Sequence, residues 1–316
     1  MVGPAPNKLE PPSVLLITKN EEVNIEACLK GLTFSDDVVV LDSYSTDRTV
    51  EIARTFPNVR VVQRVFDIEW RQRNYGLQEI PYKHPWVYIC DADERVPQDL
   101  IDEMIGKINN PNNRYSSFRL RYKNIYLGKW IKHASGYPVW LIRLVRPERV
   151  TYEIRQTNVH PIVRGAVGEL SGHFIHYSFN SGLRRWFEKH NFYSTREALE
   201  GVKVRAEKFP SIKMLRSDDP IVRRRALKNL SYSLTARALW RFLDTFLLRG
   251  GWLDGGAGFH YSLMISMYEY WIELKIRELE QNWSERTERT VADFLREPND
   301  DRRNSGMVTG SDHALA

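Results

Sequence analysis

Four short apolar runs punctuate the N-terminal part of the chain: Val14-Leu15-Leu16-Ile17, Val38-Val39-Val40-Leu41, Val59-Arg60-Val61-Val62 and Trp86-Val87-Tyr88-Ile89-Cys90. The first, second and fourth are almost continuously apolar, the pattern of strands covered on both faces, which predicts a parallel sheet. Between them the spacing turns helical. Val23 to Leu32 carries one apolar face, Thr46 and Asp47 supply caps for a helix through Val50, Ile52 and Ala53, and Trp70 to Leu77 forms a third candidate. Alternation of this kind gives βαβ units with right-handed crossovers, whose ligand sites lie at the carboxyl ends of the strands. Thr18, Asp42 and Asp91 all fall at such ends.

A further helix is expected from Pro97 to Ile108, after which Tyr115 to Val163 becomes aromatic and arginine-rich with shorter alternating runs, read as mixed strands and loops. From Leu183 the chain reads as helical, over Leu183 to Val204, Pro220 to Leu248 and Gly258 to Trp283, before a polar tail. The expected division is therefore a tail over 1–12, an α/β catalytic domain over 13–180, a helical C-terminal region over 181–283 and a loose tail over 284–316. Phe259 to Tyr268, the longest uncharged stretch of interest, contains His260 and falls well short of the roughly 20 apolar residues that span a bilayer, so no transmembrane helix is expected.

Composition narrows this picture modestly. At 316 residues, with 42% hydrophobic and 27% charged residues, the chain has the make-up of a folded enzyme rather than a disordered or integral membrane protein. Net charge is +6, and the excess is concentrated after residue 180, notably at Arg184-Arg185 and Arg223-Arg224-Arg225, a surface that attracts anions. Cys28 and Cys90 stand alone in apolar segments and form neither a disulfide framework nor a metal-ligand spacing, which fits a reducing compartment. The polar, proline-rich start reads as no secretory signal. Leu239-Trp240-Arg241-Phe242 and Phe246 to Trp252 mix bulky apolar side chains with arginine, the composition of a segment lying in a headgroup layer or, equally, of a buried helix pair. Gly255, Gly256 and Gly258 then break the helix.

The strongest chemical signal is Cys90-Asp91-Ala92-Asp93-Glu94. Carboxylates this close repel unless a cation or donors compensate, and magnesium or manganese does so while sharing its shell with phosphate oxygens. Asp91 and Asp93 are the candidate metal ligands; the bland alternative is an acidic turn ahead of a helix N-terminus. Thr18, Asn20, Glu21 and Asp42 converge on the same sheet edge and suit a base and ribose, although Asp42 and Asp47 also suit turn formation and helix capping. Arg71 or Arg73 could reach a diphosphate, with Asn74 near the nucleotide. No glycine lies between Ile17 and Cys28, so dinucleotide-binding and P-loop readings lose their support.

Taken together, Thr18-Lys19-Asn20-Glu21, Asp42-Ser43-Tyr44-Ser45-Thr46-Asp47, Arg73-Asn74 and Asp91-Ala92-Asp93-Glu94 resemble the sequential motifs of family 2 glycosyltransferases of GT-A fold, in particular the branch of bacterial lipopolysaccharide-core glucosyltransferases. The resemblance covers Ser13 to about Trp283. It implies inverting transfer from a nucleotide sugar, usually UDP-linked, with Mn2+ or Mg2+, to a saccharide or lipid-linked acceptor at the inner face of the cytoplasmic membrane. By position, Thr18, Asn20, Glu21, Asp42 and Asn74 would meet the nucleoside, Asp91, Ala92 and Asp93 the nucleotide and metal, and Trp140 and Arg143 the acceptor side. The family's Val-His-Glu reads Val159-His160-Pro161 here, so the base is expected among Glu153, His160 and Glu169. No nucleic-acid-reading module appears, and the C-terminal helices offer a route to a homo-oligomer. A UDP-binding module without turnover and a sugar nucleotidyltransferase are the alternatives.

Overall fold

The computed structural model describes residues 9–154, 159–206, 215–216, 226, 232 and 236–281. Arg223 to Arg225, much of the first half of the helix expected from Pro220 to Leu248 and the polar tail lie outside the described residues.

The four apolar runs become β1 (Ser13–Thr18), β2 (Val38–Asp42), β3 (Val59–Gln63) and β4 (Val87–Asp91), hydrogen-bonded in parallel in the order β3-β2-β1-β4. The intervening helices are α1 (Glu22–Lys30), α2 (Thr49–Ala53) and α3 (Glu69–Gln78). The period of two along each strand divides the core between two layers. Val14, Leu16, Val38, Val40, Tyr88 and Cys90 face α1 and α4 (Gln98–Ile108), whereas Leu15, Val39, Leu41, Val87 and Ile89 face α3 and its neighbours. Gly76 lets α3 sit tightly on the sheet, since a Cβ there would stand 2.7 Å from Leu15 Cδ2.

Beyond β4 the sheet becomes mixed. It continues through β8 (Trp140–Val145), antiparallel to β4, then β6 (Tyr115–Tyr126), β11 (Ala166–His176) and the two-residue β5 (Glu94–Arg95). β7 (Lys129–Trp130) folds back on β6, and β9 (Val150–Tyr152) pairs with β10 (Pro161–Val163). One connection matters most for the site. The chain leaves β4 at Asp91 and by Glu94 is paired with β11, so Asp91 to Glu94 crosses over the ends of β8 and β6.

The C-terminal region is helical, as expected. α5 (Gly182–Ala206) packs along α7 (Gly255–Gln281) through Ala198, Leu199, Ile272, Ile276 and Leu279. A second cluster, Trp186, Ala257 and Met264 with Tyr126 and Ile131, fastens both helices to β6 and the loop beyond it. α6 (Arg237–Phe242) runs into a π-helical turn, Leu243–Leu248. The glycines expected to break a helix instead begin one: Gly255 has φ +66°, and α7 runs through Gly256 and Gly258. Gly258 is required by close approach, because a Cβ there would lie 2.0 Å from the Gly251 carbonyl oxygen. No helix among the described residues is long and apolar enough to cross a membrane.

Candidate active site

Because Asp91 to Glu94 crosses the sheet end, the side chains beneath it come from strands far away in sequence. Arg143, from β8, places Nη2 2.7 Å from Asp91 Oδ2 and also bonds Glu94 Oε1. His176, the last residue of β11, holds Nε2 3.3 Å from Asp93 Oδ2. Together with Glu21, Tyr122 and Asn124 these groups line one wall of a cleft of about 400 Å³. The opposite wall is α5, which contributes Arg185, Trp186, Lys189, His190 and Tyr193, while α7 adds Tyr261 and Ile265.

The electrostatics follow from burial set against these partners. Burial raises the Asp91 carboxyl, but the Arg143 and Arg73 guanidiniums outweigh it and hold the group well below the usual carboxylate range. Asp93 is likewise held down against burial by His176 and Lys189. His176 is raised, since the three carboxylates Asp93, Glu94 and Asp91 overcome the burial that would lower it. Glu94 goes the other way: burial pushes its carboxyl up to about 8 against the pull of Arg143, and Asp91 and Asp93 add to the rise. Burial also raises Glu21.

These shifts predict how stability varies with pH. An unfolded chain holds the Glu94 carboxyl near 4.5, so between that value and about 8 the folded protein carries the extra proton and stability falls as pH rises. His176, raised above 6.5, likewise contributes stability that is complete below that value and lost as pH climbs through its folded value. The metal- and nucleotide-free protein should therefore lose thermal midpoint steadily from about pH 5 to pH 9, and Glu94→Gln should flatten the decline. A Glu94→Gln profile as steep as the wild type's would refute this account of Glu94.

The residues expected to meet a nucleoside are mostly engaged in building the edge itself. Asn20, at φ +55°, accepts the Thr46 N–H at 2.7 Å and donates its own N–H to Ser45 Oγ at 2.8 Å, knitting the first strand–helix loop to the second. Asp42 is fully buried and accepts the Ser45 N–H at 3.0 Å, the Ser45 hydroxyl and the Gln63 amide at 2.9 Å. Its turn-forming role is thus plain. Thr18 Oγ1, beside it in register, is buried and has no hydrogen-bond partner among the described residues. Glu21 takes a hydrogen bond from Asn24 at 2.8 Å and keeps its carboxyl on the cleft wall.

On α3 the three candidates part company. Arg71 lies outside the cleft lining, half-exposed, 3.5 Å from Asp67 and over the Trp70 ring. Arg73 bonds Glu69 at 3.1 Å and lies over the Tyr152 ring, close enough to Asp91 to depress it. Asn74 uses both ends of its amide on the Tyr152 backbone, accepting at 2.7 Å and donating at 3.2 Å, which fixes β9 to the helix. Ala92 is buried. Arg143, expected on the acceptor side, is a buried counter-charge to Asp91 and Glu94, and Trp140 lies against Arg119 and Arg121 instead of lining the cleft.

The base candidates separate as well. Glu153 and His160 face one another across the β9–β10 loop, with the His160 N–H donating to Glu153 Oε1 at 3.2 Å and the Glu153 N–H donating to the His160 carbonyl at 3.1 Å. Glu169 is bound to Arg119 seven residues before His176 on β11, roughly 20 Å down the strand, and is remote from the cleft. His176, Lys189 and Tyr193 were not singled out from sequence, and Arg185 only as part of the basic, anion-attracting excess. Arg185 and Lys189 are four apart and so share a helix face, which was the available signal.

The family model for glycosyl transferase family 2 matches residues 13–190, more than half of the chain. Among curated relatives, an uncharacterized glycosyltransferase of Rickettsia typhi is 27% identical, over 84% of this chain and 87% of its own. The lipopolysaccharide core biosynthesis glycosyltransferase LpsC of Rhizobium meliloti is 24% identical, over 84% of this chain and 92% of its own. Residues 1–349 of S. aureus TarS superpose at a TM-score of 0.41 with 14% identity, covering 86% of this chain and 92% of that one, a likeness that adds nothing to the assignment. The match across the sheet, the acidic crossover and the first turns of α5 establishes that the chain belongs to glycosyl transferase family 2.

Proposed function

We propose that this glycosyltransferase moves a hexose, with inversion, from a UDP-sugar to a saccharide or lipid-linked acceptor of a cell-envelope glycan. The observation that carries the reading is the pair Asp91 and Asp93 at the carboxyl edge of the sheet, facing Arg185 and Lys189 across the cleft. A hard divalent cation takes one or two protein carboxylates and completes its shell with phosphate oxygens. Asp91 and Asp93 fit that requirement: Arg143 engages one Asp91 oxygen and His176 one Asp93 oxygen, leaving each carboxylate a second. Among the described residues no set of three or more His, Cys, Asp or Glu side chains is arranged to hold a metal ion, so a cation here would need phosphate oxygens to complete its shell. When bound, Mn2+ or Mg2+ would neutralise charge on the departing UDP.

The chain's own groups supply the rest. Lys189 has no hydrogen bond or ion pair among the described residues, yet faces Asp93, Glu21 and Asp91, so its ammonium is placed to receive a diphosphate. In the transfer, the acceptor oxygen forms a bond to the anomeric carbon as the sugar–phosphate bond breaks, UDP carries off the electron pair, and a base takes the hydroxyl proton. Glu153 and His160 remain the candidates for that base: they stand together outside the cleft lining, and Asn74 anchors the adjoining Tyr152 to the helix that also carries Arg73. The family resemblance to lipid-linked work is supported by the surface around α6, where Leu239, Trp240, Leu248 and Trp252 are exposed, Leu248 by 81%.

The test is titration of UDP into the protein with and without Mn2+, followed by UDP release from a panel of UDP-sugars. Metal-dependent binding with sugar-specific release is expected, and Lys189→Gln should weaken UDP at least about tenfold while lowering the thermal midpoint only modestly, since Asp93 loses one of the two cations that hold it ionised and keeps His176. Absence of UDP binding by the wild type would overturn the donor assignment. Metal-dependent binding without turnover on any acceptor would favour the inactive UDP-binding module.

A further inference from the structure

Alternate residues of β6 face opposite sides of the sheet. Tyr122 and Asn124 line the cleft, whereas Arg119, Arg121 and Lys123 share the reverse face. There they meet aromatic rings rather than acids. Arg119 and Arg121 lie 5.2 and 5.0 Å from the Trp140 ring centre, and Arg121 also approaches Tyr137. Lys123 and Lys132 sit over the same Trp130 indole at 4.8 and 5.6 Å.

Arg119 has a carboxylate partner, Glu169, but among the described residues no acid pairs with Arg121, Lys123 or Lys132, and Arg121 donates to the Ser171 carbonyl. Rings hold cations in place without neutralising them. Two ammoniums over one indole, neither paired with an acid among the described residues, repel each other, an arrangement that a bound anion relieves. Strand geometry spaces Arg121 and Lys123 roughly 7 Å apart, and Lys123 adjoins the Asn124 of the cleft, so the row climbs to the cleft rim.

We infer that this face binds a phosphorylated saccharide, gripping at least two phosphate groups on a part of the acceptor away from the reacting hydroxyl. The inference rests on the proposed acceptor class. A bilayer is disfavoured here because the rings lie beneath the charges, while the exposed Leu248 and Trp252 belong to the segment around α6.

Glucose 1,6-bisphosphate is the probe, titrated into the full chain beside neutral maltotriose. The wild type should bind the bisphosphate and not maltotriose, and Lys123→Gln/Lys132→Gln should bind it at least about tenfold more weakly with UDP affinity unchanged. Asp91→Asn should retain the bisphosphate, which separates this result from the fate of the donor site. The inference is overturned if the wild type does not bind the bisphosphate or the double variant binds it equally. It is overturned too if anionic phosphatidylglycerol vesicles or single-stranded DNA prove the tighter, lysine-dependent ligands.

Discussion

Asp91→Asn is expected to lower UDP-sugar turnover by at least about a hundredfold and to abolish the Mn2+ dependence of UDP binding, with the fold retained. The substitution is nearly isosteric and leaves β4 intact, since the backbone of Asp91 pairs with Ile17 whatever its side chain. What disappears is one of two carboxylates available to a cation shared with the diphosphate. The loss is partly rebalanced within the wall: Arg143 keeps Glu94 as a partner, and without the Asp91 charge beside it Glu94 ionises more readily. Circular dichroism and thermal midpoint should therefore move little while turnover collapses. Turnover within threefold of wild type would sink the assignment of Asp91, and a collapse of both together would show a structural role instead.

The parts of this site that could be read from sequence are those made locally. The strands were legible because residues such as Val38 to Leu41 are buried on both faces and so lack any polar interruption. Asp91 and Asp93 stood out less by themselves, since acidic turns after strands are common, than through the polar groups Thr18, Asn20, Glu21 and Asp42 that converge on the same sheet edge. What was hidden depends on the crossover from β4 to β11. Arg143 lies 52 residues beyond Asp91, and no local pattern announces that β8 slides beneath the acidic turn. His176 is hidden for the same reason. Asn74 illustrates a competing role that sequence does not show: its amide suits a nucleotide, but one donor and one acceptor are taken by the backbone of Tyr152, 78 residues away. The α5 cations were visible as a surface charge pattern, yet only the packing of Trp186 against Tyr126 and Met264 turns that face toward the sheet.

Arg143→Met carries the largest expected effect on stability, on the order of 3–5 kcal/mol, because it leaves buried carboxylates without their cation. The arginine side chain is 8% exposed and both ion pairs converge on Nη2, between Asp91 and the wholly buried Glu94. In the variant, Glu94 would keep its proton to a still higher pH; because the wild-type carboxyl already holds its proton up to about 8, this part of the deficit should open only above about pH 8, whereas the part due to Asp91, stripped of Arg143, is already present at neutral pH, as differential scanning fluorimetry from about pH 5 to about pH 9 would record. At neutral pH a fall in midpoint on the order of 10 °C follows for a chain of this size. Arg143→Lys, with a compact charge on a shorter reach, should fall between the two. The decisive comparison is the double variant Asp91→Asn/Arg143→Met. Removing both members of a buried pair costs less than stranding one, so the double variant should be more stable than Arg143→Met alone. If it is instead less stable by the sum of the single effects, Arg143 acts by filling space between β8 and the acidic turn, and the charge balance assigned to this wall is wrong.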